Sequence, residues 1–309
     1  MSSQIATQKV ATKGLAKGSV GLIGAVVIGI SCIAPAYTLT AALGPTVSAV
    51  GSQAPAIILL GFIPMLLVAF GYRELNAVIP DSGTSFTWAT RAFGPYVGWM
   101  AGWGLIAATI LVLSNLAGIA VDFLYLLIAQ ITGDASIAEL ATNPGVNVAT
   151  CLAFMAAATF IAYRDMQTTQ RVQYVLVGFQ ALVLVVFAIA AFVHVANGTA
   201  FDATPVSVSW FDPFQVDSFS ALVAGLSLSI FIFWGWDVTL TMNEETKDPE
   251  KTPGRAATIT VVIIVALYLL LAVGLTAFAG TGEGEFGLGN PDIQDNVFFA
   301  LAGPILGPL

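Results

Sequence analysis

The chain has 309 residues, 57% of them hydrophobic and only 9% charged, with a formal net charge of −8. Soluble domains carry about 25% charged residues, so this composition excludes an ordinary soluble domain and describes a polytopic membrane protein. An acidic chain without a basic patch does not bind nucleic acid, and two cysteines with a single histidine make neither a disulfide framework nor a zinc cluster.

Residues 1–18 are polar and hold Lys9, Lys13 and Lys17. The apolar run behind them is too long for a signal peptide and lacks a cleavage signature, so they are predicted to form a cytoplasmic tail. A helix needs about 20 mainly apolar residues to cross the bilayer core. Seven stretches qualify, at 20–47, 54–78, 95–129, 146–163, 171–197, 219–243 and 255–280, and an eighth starts near 296. All ten Lys and Arg residues fall before the first stretch or in the connections 2–3, 4–5 and 6–7. The opposite connections carry only acids: Asp134, Glu139, Asp202, Asp212, Asp217, Glu283, Glu285, Asp292 and Asp295. Under the positive-inside rule the N-terminus is cytoplasmic. The sequence stops inside an apolar run at 301–309, which leads us to expect a piece of a longer transporter.

The first stretch contains Ile30, Ser31, Cys32, Ile33, Ala34, Pro35, Ala36 and Tyr37. Proline lacks an N–H and disfavours helical backbone at the residue before it, yet suits the first position of a helix. One half-helix is therefore predicted to end near Ile30 and a second to begin at Pro35. The backbone groups of residues 31–34 would be released between them, and the amides of Ala36 and Tyr37 would be aimed at an anion. The sixth stretch contains Phe231, Ile232, Phe233, Trp234, Gly235, Trp236 and Asp237. Glycine costs roughly 1 kcal/mol relative to alanine in a helix interior, and a carboxylate at the bilayer centre costs about 2.5 kcal/mol or more. A break there would end one half-helix near Phe233, leave carbonyl oxygens for an ammonium group, and let Asp237 cap a second half-helix. Irregular backbone survives at membrane depth only where protein or a cavity satisfies it. Two breaks in oppositely directed stretches, the first and the sixth, are the pattern of inverted repeats around a midplane site.

Other polar residues admit two readings each. Asp122 either attracts a cation or relays protons, or reaches water at the outer end of the third stretch. Asn115 lies on the same helix face and suits an interhelical hydrogen bond. Gly94, Gly98 and Gly102 form a small-residue row for close helix packing, and His194 sits at a helix end. Glu244 and Glu245 make either a gate of ion pairs with Lys247, Lys251 and Arg255 or a solvated helix end. Ser31 either touches the substrate or bonds its own backbone, and Cys32 is a small packing residue.

Three places resemble the amino acid–polyamine–organocation permeases. Pro80, Asp81, Ser82, Gly83, Thr84, Ser85, Phe86, Thr87 and Trp88, followed by Phe93, Gly94, Pro95, Tyr96, Val97, Gly98, Trp99, Gly102 and Trp103, are similar to that family's loop 2–3 and the start of its helix 3. Residues 231–237, with Glu244, Glu245, Pro249 and Pro253, are similar to its helix 6 and the loop after it. The first stretch departs from the Gly-Ser-Gly-like sequence of many members. The resemblance implies an all-α, leucine-transporter-like five-plus-five inverted repeat: a first repeat over 19–199, and over 200–309 a partial second repeat that stops after seven spans and the start of an eighth. It implies an aromatic gate at Phe231 and a pocket lined by Ser31, Cys32, Ile33, Ala34, Phe233, Trp234 and Gly235, to which the amides of Ala36 and Tyr37 read above are added as substrate-binding groups. Several proton-coupled members carry a lysine where this chain has Gln180, which cannot titrate. The coupling ion, H+ or Na+, stays open, with Asp237 and Asp122 as proton carriers and Glu244 and Glu245 as gating residues.

The expected activity is secondary active transport of an amino acid across the plasma (inner) membrane by alternating access, without a cofactor or metal and with lipid as the surroundings. Symport and antiport, the particular substrate and the oligomeric state stay open. The aromatic residues around Gly235 favour a neutral or bulky side chain. Amines or polyamines are the alternative, with Asp237 or Asp122 as counter-charge. An intramembrane enzyme would need paired chemistry, and Gly-x-Ser-x-Gly and His-Glu-x-x-His are both missing. A channel would need a continuous polar stripe, and an ATP-driven pump a P-loop lysine; the sequence has neither.

Overall fold

The computed structural model describes residues 17–164 and 166–307. Most of the polar tail, with Lys9 and Lys13, and the terminal Pro308 and Leu309 lie outside the described residues. Among the described residues every regular element is a helix. In order they are α1 Leu22–Ile33, α2 Pro35–Val50, α3 Ala54–Val78, α4 Thr84–Phe93, α5 Pro95–Thr132, α6 Ser136–Glu139, α7 Pro144–Arg164, α8 Met166–Asn197, α9 Phe219–Ile232, α10 Val238–Thr241, α11 Thr252–Ala279 and α12 Val297–Leu306, with short 3-10 turns between some of them.

Five runs are long and apolar enough to cross a membrane: Leu22–Val78 (which holds α1 to α3), Pro95–Thr132, Pro144–Arg164, Met166–Asn197 and Thr252–Ala279. The protein is thus an integral, multi-pass membrane protein. Proline opens several of these helices, at Pro35, Pro95 and Pro144, where its missing N–H has no helical acceptor to lose. The connection between α3 and α5, read from sequence as a loop, contains α4. Its local anchor is Asp81, whose carboxylate accepts the Gly83 N–H at 2.8 Å and the Thr87 hydroxyl at 2.7 Å, while the Trp88 indole donates to the Ile79 carbonyl at 3.0 Å. Two glycines of the expected small-residue row pack closely at this point, since a Cβ on Gly98 would strike Thr90 and one on Gly102 would press on the Phe86 ring of α4, whereas one on Gly94 would meet nothing within 4 Å.

Helix α11 is the enclosed centre. Tyr268, Leu271 and Leu275 on it are fully buried, and it packs against α1, α3, α8 and α10. Helix α2 packs on α9, and α3 on both α9 and α11, whereas α5 packs mainly on α4, α6 and α7. Buried polar links tie the ends together. Asn76 and Asn243 are 0% exposed; Asn243 Nδ2 donates to Asn76 Oδ1 at 3.0 Å, and Asn76 Nδ2 to the Pro249 carbonyl at 2.8 Å. The strand-like pairing of Val20 with the chain after α10 adds two backbone hydrogen bonds, Val20 N to Glu245 O and Lys247 N to Val20 O. His194 joins α8 to α12 through the Ile305 carbonyl at 3.0 Å.

Candidate functional site

The first interruption is tighter than the sequence suggests. Helix α1 does not end near Ile30 but continues to Ile33, so Ser31 and Cys32 stay helical and only Ala34 leaves the helix, in the left-handed conformation with φ 53° and ψ 60°. The Ala34 N–H is shared between the carbonyls of Ile30 and Ser31 at 3.1 and 3.2 Å. This closes α1 with a left-handed cap of the kind that glycine usually supplies. Pro35 then opens α2 as expected. The Thr38 N–H returns to the Ala34 carbonyl at 3.0 Å, while Ala36 and Tyr37 sit in the first turn, where amides have no intrahelical acceptor.

The second interruption is longer. Helix α9 ends at Ile232, residues 233–237 form turns, and only a four-residue helix, α10, follows before a 3-10 turn at Asn243–Glu245. The expected half-helix reaching 243 is therefore a single turn. Asp237 does not cap it: its backbone is helical (φ −63°, ψ −22°) and no side-chain capping hydrogen bond forms. A capping side chain needs extended backbone at its own position to fold back on the helix, and Asp237 instead is one of the residues lining the cavity described next.

The two interruptions meet. A Cβ on Gly235 would lie 2.8 Å from the Cys32 carbonyl oxygen and 3.0 Å from the Ile33 nitrogen, and Gly235 has φ +118°. Glycine is required here twice over, by contact and by conformation. Because α1 packs on α10 and α2 on α9, the two broken segments run antiparallel with their gaps level. Between these gaps and α5 lies a cavity of about 360 Å³, near the lower end for small-molecule sites, roughly 300–1,000 Å³. Eight of the residues expected to bind substrate line it: Ser31, Cys32, Ile33, Ala34, Tyr37, Phe231, Trp234 and Gly235, together with Asp237. Two do not reach it. Ala36 faces away, and Phe233 is fully buried in the core, its ring 6.0 Å from Phe62 and 5.5 Å from Tyr268. The tight turn after α9 carries Phe233 to the side of the segment opposite the cavity.

Two further cavities adjoin this one. The first, about 530 Å³, shares Tyr37 with it and is lined by Asn115, Asp122, Asp295 and Asn296, on the side of the acidic connections. Asn115 and Asp122 thus share one face, as their spacing implies. The other shares Cys32, Val238 and Thr241 with the central cavity and is lined by Ser82, Glu244 and Glu245, on the side of the basic connections. Gln180 lines none of the three, and its buried Nε2 has no partner among the described residues. Asp122 and Asp237 line different cavities.

Several residues of the site escaped sequence reasoning. Leu105, Thr109, Val112, Leu113 and Leu116 of α5 form the wall facing the two gaps. Their helical spacing carries no signal in a stretch that is apolar on every side. Tyr268 is the other: its hydroxyl is hydrogen-bonded to the Thr38 hydroxyl and donates to the Ile232 carbonyl at 3.0 Å. A lone tyrosine in the middle of an apolar helix was the available sign, since a buried phenol needs a partner.

Two interrupted helices thus border one small cavity inside a bundle of apolar helices. The chain belongs to the amino acid permease family, whose sequence profile matches residues 18–304. Among curated relatives, the branched-chain amino acid permease BcaP of Lactococcus lactis subsp. cremoris (strain MG1363) is 42% identical over 40 residues. That match covers 13% of this chain and 9% of the relative, so it spans less than a tenth of the relative's length.

Proposed function

We propose that the protein is a secondary active transporter of neutral amino acids with apolar side chains, and that the central cavity is its substrate site. The observation that carries this is the contact of the two helix gaps around Gly235, which puts free backbone groups of both polarities on one cavity. The substrate carboxylate lies against the first turn of α2, where the Tyr37 amide has no intrahelical acceptor. The ammonium group lies against the 233–237 turn and Asp237. The side chain lies against Leu105, Val112, Leu113 and Leu116, with Phe231 and Trp234 closing over it. No Lys, Arg or His lines the cavity among the described residues, so nothing there recognises an acidic side chain. The name of the L. lactis relative, a branched-chain amino acid permease, points the same way.

In this reading the fold is the five-plus-five inverted repeat, the N-terminus is cytoplasmic and the protein sits in the plasma membrane. Access alternates between the cavity of Asp122 and that of Glu244 and Glu245. A second reading, transport of an amine, draws on the two carboxylates, Asp122 and Asp295, that line the larger cavity. A thermal-shift screen of L-isoleucine, L-leucine, L-lysine and putrescine on the purified protein, with and without sodium, tests both. A ligand that binds the native state raises the melting temperature by mass action. Stabilisation by the branched-chain amino acids is the expected result; stabilisation by putrescine alone would overturn the reading in favour of an amine, and a sodium requirement would identify the coupling ion.

A further inference from the structure

The break after α9 frees carbonyl groups that an intact helix would satisfy. The Ile230 carbonyl accepts from the Phe233 N–H at 3.3 Å and the Phe231 carbonyl from the Trp234 N–H at 3.0 Å, as the last turn tightens. In an unbroken helix the Ile232 carbonyl would accept from the N–H of Trp236, four residues on. Here the chain turns away at 233–237, and the Tyr268 hydroxyl takes the place of that N–H.

Two hydroxyl protons, on Thr38 and Tyr268, serve the three contacts of this link. The Ile232 carbonyl can only accept, so Tyr268 donates to it. The short contact between the two hydroxyls then needs Thr38 as donor and Tyr268 as acceptor. The Thr38 hydroxyl also lies 3.2 Å from the Ala34 carbonyl, but the Thr38 N–H serves that carbonyl at 3.0 Å, which leaves the hydroxyl proton for the shorter contact to Tyr268. A directed chain of hydrogen bonds thus runs from the first turn of α2, through α11, to the end of α9. All three groups are buried away from water: Thr38 is 8%, Tyr268 0% and Ile232 2% exposed.

We propose that Tyr268 is a positioning residue of the substrate site, its hydroxyl acting as a strut that holds the two helix gaps in register. The proposal rests on the central cavity being that site. Tyr268 lines none of the three cavities described and touches no substrate; it acts through Thr38, which itself lines the central cavity, and through Ile232, whose neighbour Phe231 does. The phenol ring is packed against Phe233 at 5.5 Å, so Tyr268→Phe removes the hydroxyl and leaves the packing in place. Thr38→Val removes the other end of the same chain.

The test uses the purified intact protein in lipid nanodiscs, with Tyr268→Phe, Thr38→Val, the double variant and Thr38→Ser. Amide hydrogen exchange without ligand is read over residues 233–238 and over α3 and α8. We expect exchange at 233–238 to be about tenfold faster in each single variant, the factor that one buried hydrogen bond controls. The double variant should be no faster than the singles, Thr38→Ser should keep the wild-type rate, and α3 and α8 should stay unchanged. In parallel, L-isoleucine should bind the single variants about tenfold more weakly. Unchanged exchange at 233–238, additive effects, or equal acceleration in α3 and α8 would overturn the strut. Should Tyr268→Phe fail to fold, the exchange of residues 233–238 in Thr38→Val decides the matter from the other end, because Thr38 also lines the cavity and its binding loss alone does not. If the wild type does not bind L-isoleucine while the exchange results hold, the strut stands and the substrate reading falls.

Discussion

The interruption between α1 and α2 occupies one residue, Ala34, whereas the one between α9 and α10 occupies five, 233–237. The short one satisfies its own backbone. Ala34 shares its N–H between two carbonyls of the preceding turn, and its carbonyl takes the N–H of Thr38. The long one leans on its neighbours: the Ile232 carbonyl on Tyr268, Gly235 on the backbone of Cys32 and Ile33, and Trp236 on the Tyr72 ring 5.2 Å away. Proline makes a break by removing a donor and leaves the rest of the helix intact, while glycine only permits one, so the surroundings must hold it. The short gap is thus a local feature of α1 and α2, and the long gap a property of the whole bundle.

This difference can be pressed from both sides. The largest effect is expected at Gly235→Ala, which forces a Cβ onto the Cys32 carbonyl in a backbone conformation that alanine resists. The combined cost is roughly 3 kcal/mol or more, seen as loss of folded protein in detergent or, where it folds, at least a hundredfold weaker binding of L-isoleucine. The long gap carries a charge and the short one none, so Asp237→Asn comes next. Losing a charge-assisted hydrogen bond of about 2 kcal/mol should weaken amino acid binding about thirtyfold by calorimetry, with the melting temperature within a few degrees of wild type.

Pro35→Ala probes the short gap. It restores an N–H within reach of the Ser31 carbonyl and lets α1 run on into α2, so binding should fall about tenfold while the protein folds as well as before. An undiminished affinity would show that the gap at Ala34 is not part of the site. The smallest effect has the opposite sign. Ala34→Gly relieves a left-handed alanine at φ 53° and should stabilise the protein by about 1 kcal/mol, visible as a modest rise in melting temperature.

The places where reading the chain failed share a cause. The positions of both breaks were legible, because Pro35 and Gly235 are departures from helix chemistry inside apolar runs. Their extents were not. Whether α1 stops at Ile30 or Ile33 depends on one residue's tolerance of left-handed backbone. The single-turn length of α10 depends on Asn243 being drawn into its buried pair with Asn76, 167 residues away in sequence. Phe233 was placed in the cavity because a one-dimensional pattern cannot say which way a turn faces.

By itself, then, the sequence determined the class of molecule, the apolar segments and the two points where helices come apart. These follow from composition, from the distribution of charge along the chain and from the backbone chemistry of proline and glycine, all of which act locally. Only the tertiary structure decided that the gaps touch, that α5 supplies the apolar wall, that Asp237 faces the cavity instead of capping a helix, and that Tyr268 ties the gaps together. Inside a bilayer hydrophobicity does not distinguish one apolar face from another, so these choices are made by close packing and by the need of every buried polar group for a partner.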